Sequence, residues 1–285
     1  GVRAPVSLRV NPNVDAQTHP YISTGLKGNK FGIAHERAVE VYQRAASLSG
    51  LRVVGIDCHI GSQITEIDPY LDALDRVLDL IKKLDTLGIK IHHLDIGGGL
   101  GINYAADTPP AITDFANTLL NHIEQKGFGD LEVLFEPGRS LVGNAGVLLT
   151  QVEYLKPGET KNFCIVDAAM NDLMRPAMYE AYHEIGELST ERARHAPAML
   201  CDVVGPVCES GDTFAMGREI DAVKSGDLAV FRTAGAYGAT MASTYNSRDL
   251  VPEVLVDGDR YAVVADRIAA ETILAAERVP EWLKA

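Results

Sequence analysis

Three short segments concentrate side chains able to do chemistry: Cys58-His59-Ile60-Gly61-Ser62-Gln63, Asp95-Ile96-Gly97-Gly98-Gly99 and Glu136-Pro137-Gly138-Arg139-Ser140. His59 could stack on a flat ring or move a proton, and Ser62 in the same turn could donate to a phosphate. Gly97, Gly98 and Gly99 present backbone N–H groups with no side chains in the way, which suits an anion; the same run could simply close a tight strand-to-helix turn. Glu136 could pair with a protonated ring nitrogen and Arg139 could clamp a phosphate or carboxylate bidentately; alternatively the two form a salt bridge that caps the turn. Two further clusters lie downstream. Met174-Arg175-Pro176-Ala177-Met178-Tyr179 sets Arg175 and Tyr179 four residues apart, on one face if helical, and in isolation reads as a surface pair. Pro206-Val207-Cys208-Glu209-Ser210-Gly211-Asp212 puts a thiol beside a carboxylate. A free cysteine is usually a small core residue, but this turn is polar.

The elements expected before these segments make them a constellation. Apolar runs at Val6–Val10, Val53–Ile56, Ile91–Ile96 and Leu131–Phe135 recur about 40 residues apart, a spacing that suits βα units feeding a parallel sheet. The three motifs then fall at the carboxyl ends of successive strands, the edge at which parallel α/β proteins bind ligands. Asp68-Pro69 predicts an N-cap followed by proline at the first helical position, Leu71, Leu74, Leu78, Ile81 and Leu84 form the buried stripe, and Gly88 is the stop. Pro109-Pro110 opens a second helix that carries Ile112, Phe115, Leu119 and Ile123 to Gly127, and a third runs from about His35 to Leu48. Past about Asn144 the pattern turns mostly β. Strands are expected at Val147–Leu155, Asn162–Asp167, Ala198–Val204, Leu228–Arg232, Glu253–Val256 and Tyr261–Val264, with a polar, helical insertion from Met170 to His195. The expected fold is therefore α/β plus β: residues 1–144 form a partial (β/α) barrel and residues 145–285 a β-rich domain. A closed βα barrel needs eight units and only four are legible, so the first part reads either as an open sheet or as the C-terminal portion of a (β/α)8 barrel.

Composition narrows the function. The 285 residues are 46 % hydrophobic and 23 % charged, values of a folded globular chain. Lys plus Arg number 26 against 39 Asp plus Glu, a net charge of −13 that argues against nucleic acid and against an anionic membrane surface. No apolar run approaches the roughly 20 residues of a transmembrane helix, and the first residues lack the shape of a signal peptide. The four cysteines form no CxxC pair, which suits a reduced, cytoplasmic protein. There is no GxGxxG, P-loop or GxSxG motif, and His35-Glu36 and His183-Glu184 lack the second histidine of a zinc helix, so no metal site is expected.

Taken together, the segments resemble the diaminopimelate decarboxylase family, pyridoxal-phosphate enzymes of the alanine-racemase-like barrel class. The likeness runs along essentially the whole chain: Ser23-Thr24-Gly25 with Lys30-Phe31-Gly32, then HIGSQ, DIGGG, EPGRS, MRPAMYEAYH, GPVCESGD and GAYG, in the family's order. The resemblance implies conversion of meso-2,6-diaminopimelate to L-lysine and CO2, the last step of lysine biosynthesis, with pyridoxal 5'-phosphate as cofactor. It implies His59 stacked on the pyridine ring, Ser62 and Gly97–Gly99 at the phosphate, Glu136 on the ring nitrogen, and Gly138 and Arg139 lining the phosphate and substrate region. Arg139, Arg175 and Tyr179 would hold the distal carboxylate, Glu209 the distal ammonium, Cys208 would be the proton donor, and Tyr237 would touch the phosphate. It also implies a homodimer with shared active sites. The family's Schiff-base lysine sits in a Tyr-Ala-x-Lys-Ala-Asn type strand that has no counterpart here; Lys27, Lys30, Lys82 and Lys83 stand in other contexts. The missing lysine and four missing units, roughly 120 or more residues, agree with each other, and on this reading the chain alone is inactive or weakly active. The alternatives are a related basic amino-acid or carboxy-polyamine decarboxylase, and a non-catalytic homologue.

Overall fold

The computed structural model describes residues 1–16, 24–25, 30–188 and 197–284. Ser23 and Lys27 of the motifs above lie outside the described residues. The chain divides into two compact units, Gly1–Gly143 and Asn144–Ala285.

In the first unit β1 (Ala4–Asn11), β2 (Ile33–Ala34), β3 (Leu51–Asp57), β4 (His93–Asp95) and β5 (Glu132–Leu134) form one parallel sheet in the order β2-β1-β3-β4-β5. Helices α1 (His35–Ser47), α2 (Asp68–Thr86) and α3 (Ile112–Gln125) alternate with the strands, so the βα reading holds. Val10, Ile56 and Leu94, none of them exposed, point to the helices. There they join Tyr42 of α1, the expected α2 stripe and Phe115, Leu119 and Ile123 of α3 in one core. Tyr70 and Phe115 meet edge-on at 4.8 Å, fastening α2 to α3. One detail differs from expectation. The chain enters α2 a residue early: Ile67 is the N-cap, already in the helical region, and no side chain caps the helix. Asp68 serves instead as an acidic residue of the first turn, favoured by the helix dipole.

Residues of the opposite strand parity fall on the other face. Arg9 of β1 pairs in register with Asp57 of β3, Asp57 with Asp95 of β4, and Asp95 with Leu134 of β5. Arg9, Asp57 and Asp95 thus form a charged row across the three central strands at their carboxyl ends.

The second unit is built on a six-stranded sheet ordered β10-β9-β7-β6-β11-β8. Its strands are β6 (Leu148–Lys156), β7 (Phe163–Val166), β8 (Ile185–Glu187), β9 (Met199–Val204), β10 (Thr213–Ile220) and β11 (Leu228–Phe231). All pairings are antiparallel except β7 with β9. Val152, Cys164, Val166, Phe214 and Phe231 fill its core. A separate hairpin, β12 (Glu253–Asp257) and β13 (Arg260–Ala265), turns at Gly258. The insertion expected to be helical from 170 to 195 is mostly not: its described helix is the single turn Arg175–Tyr179, β8 occupies residues 185–187, and 189–196 lie outside the described residues.

Candidate functional site

Strand order brings the three motifs of the first unit to one edge. His59 follows β3, Gly97–Gly99 follow β4, and Glu136 and Arg139 follow β5, Arg139 inside the short helix Gly138–Val142. The glycine run lets these loops interlock. A Cβ on Gly97 would lie 2.4 Å from the Cys58 carbonyl oxygen, on Gly98 2.1 Å from that of Glu136, and on Gly99 2.2 Å from that of Gly61. Their N–H groups are partly committed. Gly97 donates to Asp95 Oδ1 at 2.8 Å and Gly98 to His59 Nδ1 at 3.1 Å.

The second bond defines the imidazole. Nδ1 accepts, so the ring is neutral and carries its proton on Nε2. Burial lowers its pKa, Arg9 adds to the effect and Asp95 opposes it. His59 is thus a flat, neutral plate held by backbone. Beside it Asp57 is pushed up to about 6, first by desolvation and then by Asp95 and Glu136, with Arg9 opposing.

Arg139 is buried, and its Nη2 donates to Ser62 Oγ at 2.9 Å. Its Nη1 donates to the Tyr104 hydroxyl and its guanidinium lies over that ring, 5.7 Å from the centroid. Glu136 is exposed. A cation beside a hydroxyl, a fixed flat ring and an open carboxylate suit a phosphorylated heteroaromatic group. Tyr104 escaped the sequence reading. Its only signal is its place in Gly101-Ile102-Asn103-Tyr104, directly after the glycine run.

The remaining candidates belong to the second unit. Arg175 is buried at the start of its helical turn and donates from Nη1 to His183 Nε2 at 2.9 Å, so it is no surface pair. His183 Nδ1 in turn donates to the Arg232 carbonyl at 2.9 Å, which fixes the tautomer that accepts from Arg175. Tyr179, half-buried, ends the same turn, and Glu180 at φ 53 stops it. Cys208 and Glu209 are exposed at the tip of a turn. Tyr245 donates its hydroxyl to Glu209 Oε2 at 2.7 Å, a bond that raises the Tyr245 pKa. Tyr237 stands at φ 58, about half exposed. Among the described residues no group of three or more His, Cys, Asp or Glu could hold a metal ion, and no helix is long and apolar enough to cross a membrane.

Residues 2–143 match the family of pyridoxal-dependent decarboxylases, pyridoxal binding domain. The chain is 53 % identical over 280 residues to the diaminopimelate decarboxylase of Pseudomonas fluorescens, covering 96 % of this chain and 66 % of that protein. With that of Archaeoglobus fulgidus it shares 44 %, covering 99 % and 68 %. Among solved structures it is similar to the Helicobacter pylori diaminopimelate decarboxylase complexed with L-lysine, with a TM-score of 0.89 and 41 % identity over 96 % of this chain and 67 % of that one. The chain spans 65–66 % of the length of the Pseudomonas and Vibrio relatives it matches.

Proposed function

This chain belongs to the diaminopimelate decarboxylases within the pyridoxal-dependent decarboxylase family, and we propose that the holoenzyme converts meso-2,6-diaminopimelate to L-lysine and CO2. The observation that carries the reading is the edge where neutral His59, the Ser62–Arg139 pair and Glu136 meet. His59 holds the cofactor's pyridine face. Ser62, whose oxygen accepts from Arg139, donates its own hydrogen to the phosphate. The Gly97–Gly99 run keeps side chains out of that space, Gly138 lines it, and Glu136 would accept a hydrogen bond from the protonated ring nitrogen. When bound, pyridoxal phosphate supplies the electron sink for the pair left on carbon as CO2 departs.

The second unit contributes recognition and the proton. Arg175, Tyr179 and Arg139 bind the distal carboxylate, and His183 keeps the Arg175 guanidinium turned. Glu209 binds the distal ammonium, and Tyr237 reaches the phosphate. Cys208 Sγ–H delivers its proton to the carbon that lost CO2, so one C–C bond breaks and one C–H bond forms. We read the five-stranded sheet as an arc of the (β/α)8 barrel, in keeping with its two edge strands and the exposed Leu134. We read the active form as a cytoplasmic homodimer with shared active sites.

The test is CO2 release and L-lysine formation from meso-2,6-diaminopimelate by the holoenzyme. Arg175→Ala should raise KM by about tenfold to a hundredfold, the worth of a charge-assisted bond. An unchanged KM would transfer the assignment to a decarboxylase of substrates without a distal carboxylate.

A further inference from the structure

The turn that carries Cys208 and Glu209 is held from beneath by one carboxylate. Asp212, only 3 % exposed, closes that turn. Its Oδ2 accepts the N–H of Val207 at 2.8 Å, and its Oδ1 accepts the N–H of Met170 at 2.7 Å. The backbone closes around the same residue: Gly205 N–H donates to the Asp212 carbonyl at 3.0 Å, and Asp212 N–H to the Glu209 carbonyl at 3.1 Å. Gly205 lies flat against the side chain, where a Cβ would stand 2.3 Å from Oδ2.

The two donors sit at meaningful places. Val207 directly precedes Cys208, and Met170 begins the segment that runs into Arg175. One carboxylate therefore joins the backbone of the thiol-bearing turn to the backbone that leads to the guanidinium. Both bonds need an oxygen acceptor; an asparagine would aim its NH2 at one N–H, and that repulsion turns the planar group away from the other N–H as well. We propose that Asp212 is a positioning residue that fixes the Cys208–Glu209 turn and the segment leading to Arg175 together, so that each is presented in place at the shared sites. It rests on the roles given above to those three residues, and Asp212 itself touches neither substrate nor cofactor.

Asp212→Asn and Gly205→Ala in the holoenzyme test this by separate routes, the second displacing the carboxylate without changing its charge. Backbone hydrogen exchange is followed by mass spectrometry on peptides covering 168–175 and 205–212, alongside kcat and KM. Exchange should rise about tenfold in both peptides together while the rest of the unit keeps its protection. The misplaced thiol should lower kcat by about tenfold to a hundredfold, and the misplaced Glu209 should raise KM severalfold. Protection unchanged in either peptide, or both peptides loosened with kcat and KM intact, would overturn the proposal. Protection lost across the whole unit would overturn it too, because Asp212 would then be holding the fold. Should Asp212→Asn not fold, Gly205→Ala decides the matter. A wild-type holoenzyme inactive on meso-2,6-diaminopimelate would sink the functional reading alone, since the exchange pattern does not depend on it.

Discussion

Gly98→Ala and Gly138→Ala add the same methyl group to neighbouring loops and should have opposite effects. At Gly98 the new Cβ would lie 2.1 Å from the Glu136 carbonyl oxygen and 3.0 Å from its carbon. A backbone carbonyl cannot swing aside, so the loops after β4 and β5 must part by about 1 Å to restore ordinary contact. Overpacking of that kind costs about 1–3 kcal/mol. The same movement loosens the Gly98 N–H to His59 Nδ1 bond, adding about 1 kcal/mol. The sum, about 2–4 kcal/mol, corresponds to a Tm loss of about 5–15 °C for a domain of this size. Gly138 opens its helix with nothing within 4 Å of an added methyl and no positive φ. Alanine there should gain about 0.5–1 kcal/mol and raise Tm by about 1–4 °C. Thermal unfolding of the two variants beside wild type, followed by circular dichroism, is the assay. A Gly98→Ala protein that melts within about 2 °C of wild type would refute the interlock argument.

Other outcomes follow from single contacts. Asp57 has its pKa raised from 3.8 to about 6, so its favourable contribution is complete below pH 3.8 and lost as pH rises through about 6. Asp57→Asn should therefore gain on wild type across that window by about 1 kcal/mol, after discounting for partial exposure, and level off above it. Urea midpoints that differ equally at all pH values would refute this. Cys208 is the exposed thiol, while Cys58, Cys164 and Cys201 are buried, the first two with thiols pushed up to about 12. An alkylating reagent should add one group, at Cys208, to the native protein; peptide mapping that finds label on Cys58 would contradict the fold. Tyr42 donates its hydroxyl to the Gly55 carbonyl at 2.9 Å and faces that of Leu8 at 3.2 Å. Tyr42→Phe should cost about 1–2 kcal/mol in chemical unfolding with the secondary structure retained.

Much of the fold was legible because its signals are local. Period, proline and glycine place α1–α3 and the strands between them to within a few residues. β10 was not legible, because its pairing with β9 shifts register between Thr213 and Ala215 and again between Ala215 and Arg218; the alternation that marks a strand is broken by the bulges themselves. β8 is three residues in a polar stretch, too short to show a period. The cap at Asp68 was misplaced because an aspartate before a proline fits both the N-cap and the first turn, and only backbone angles separate the two.

The site shows the same division between capacity and commitment. Residue types at strand ends state what each group can do: glycines can bare their N–H groups, a serine can donate, an arginine can clamp. Which capacity is used inside the protein depends on partners far away in sequence. The N–H of Gly98 is given to His59, 39 residues away, so that glycine serves the ring's tautomer and the close approach of Glu136 rather than an anion. Arg139 meets Ser62 across 77 residues, and here direction carries the argument. A guanidinium has only donors, so the serine oxygen must accept, and its hydrogen is left for an outside acceptor. Arg139 thereby turns Ser62 into a donor aimed away from itself, the polarity a phosphate requires. Ser62→Ala should accordingly weaken binding of pyridoxal phosphate by removing the hydroxyl and the neighbour that holds the Arg139 fork in place, about tenfold or more in Kd. A cofactor titration that shows equal affinity in the two proteins would mean that the phosphate lies elsewhere.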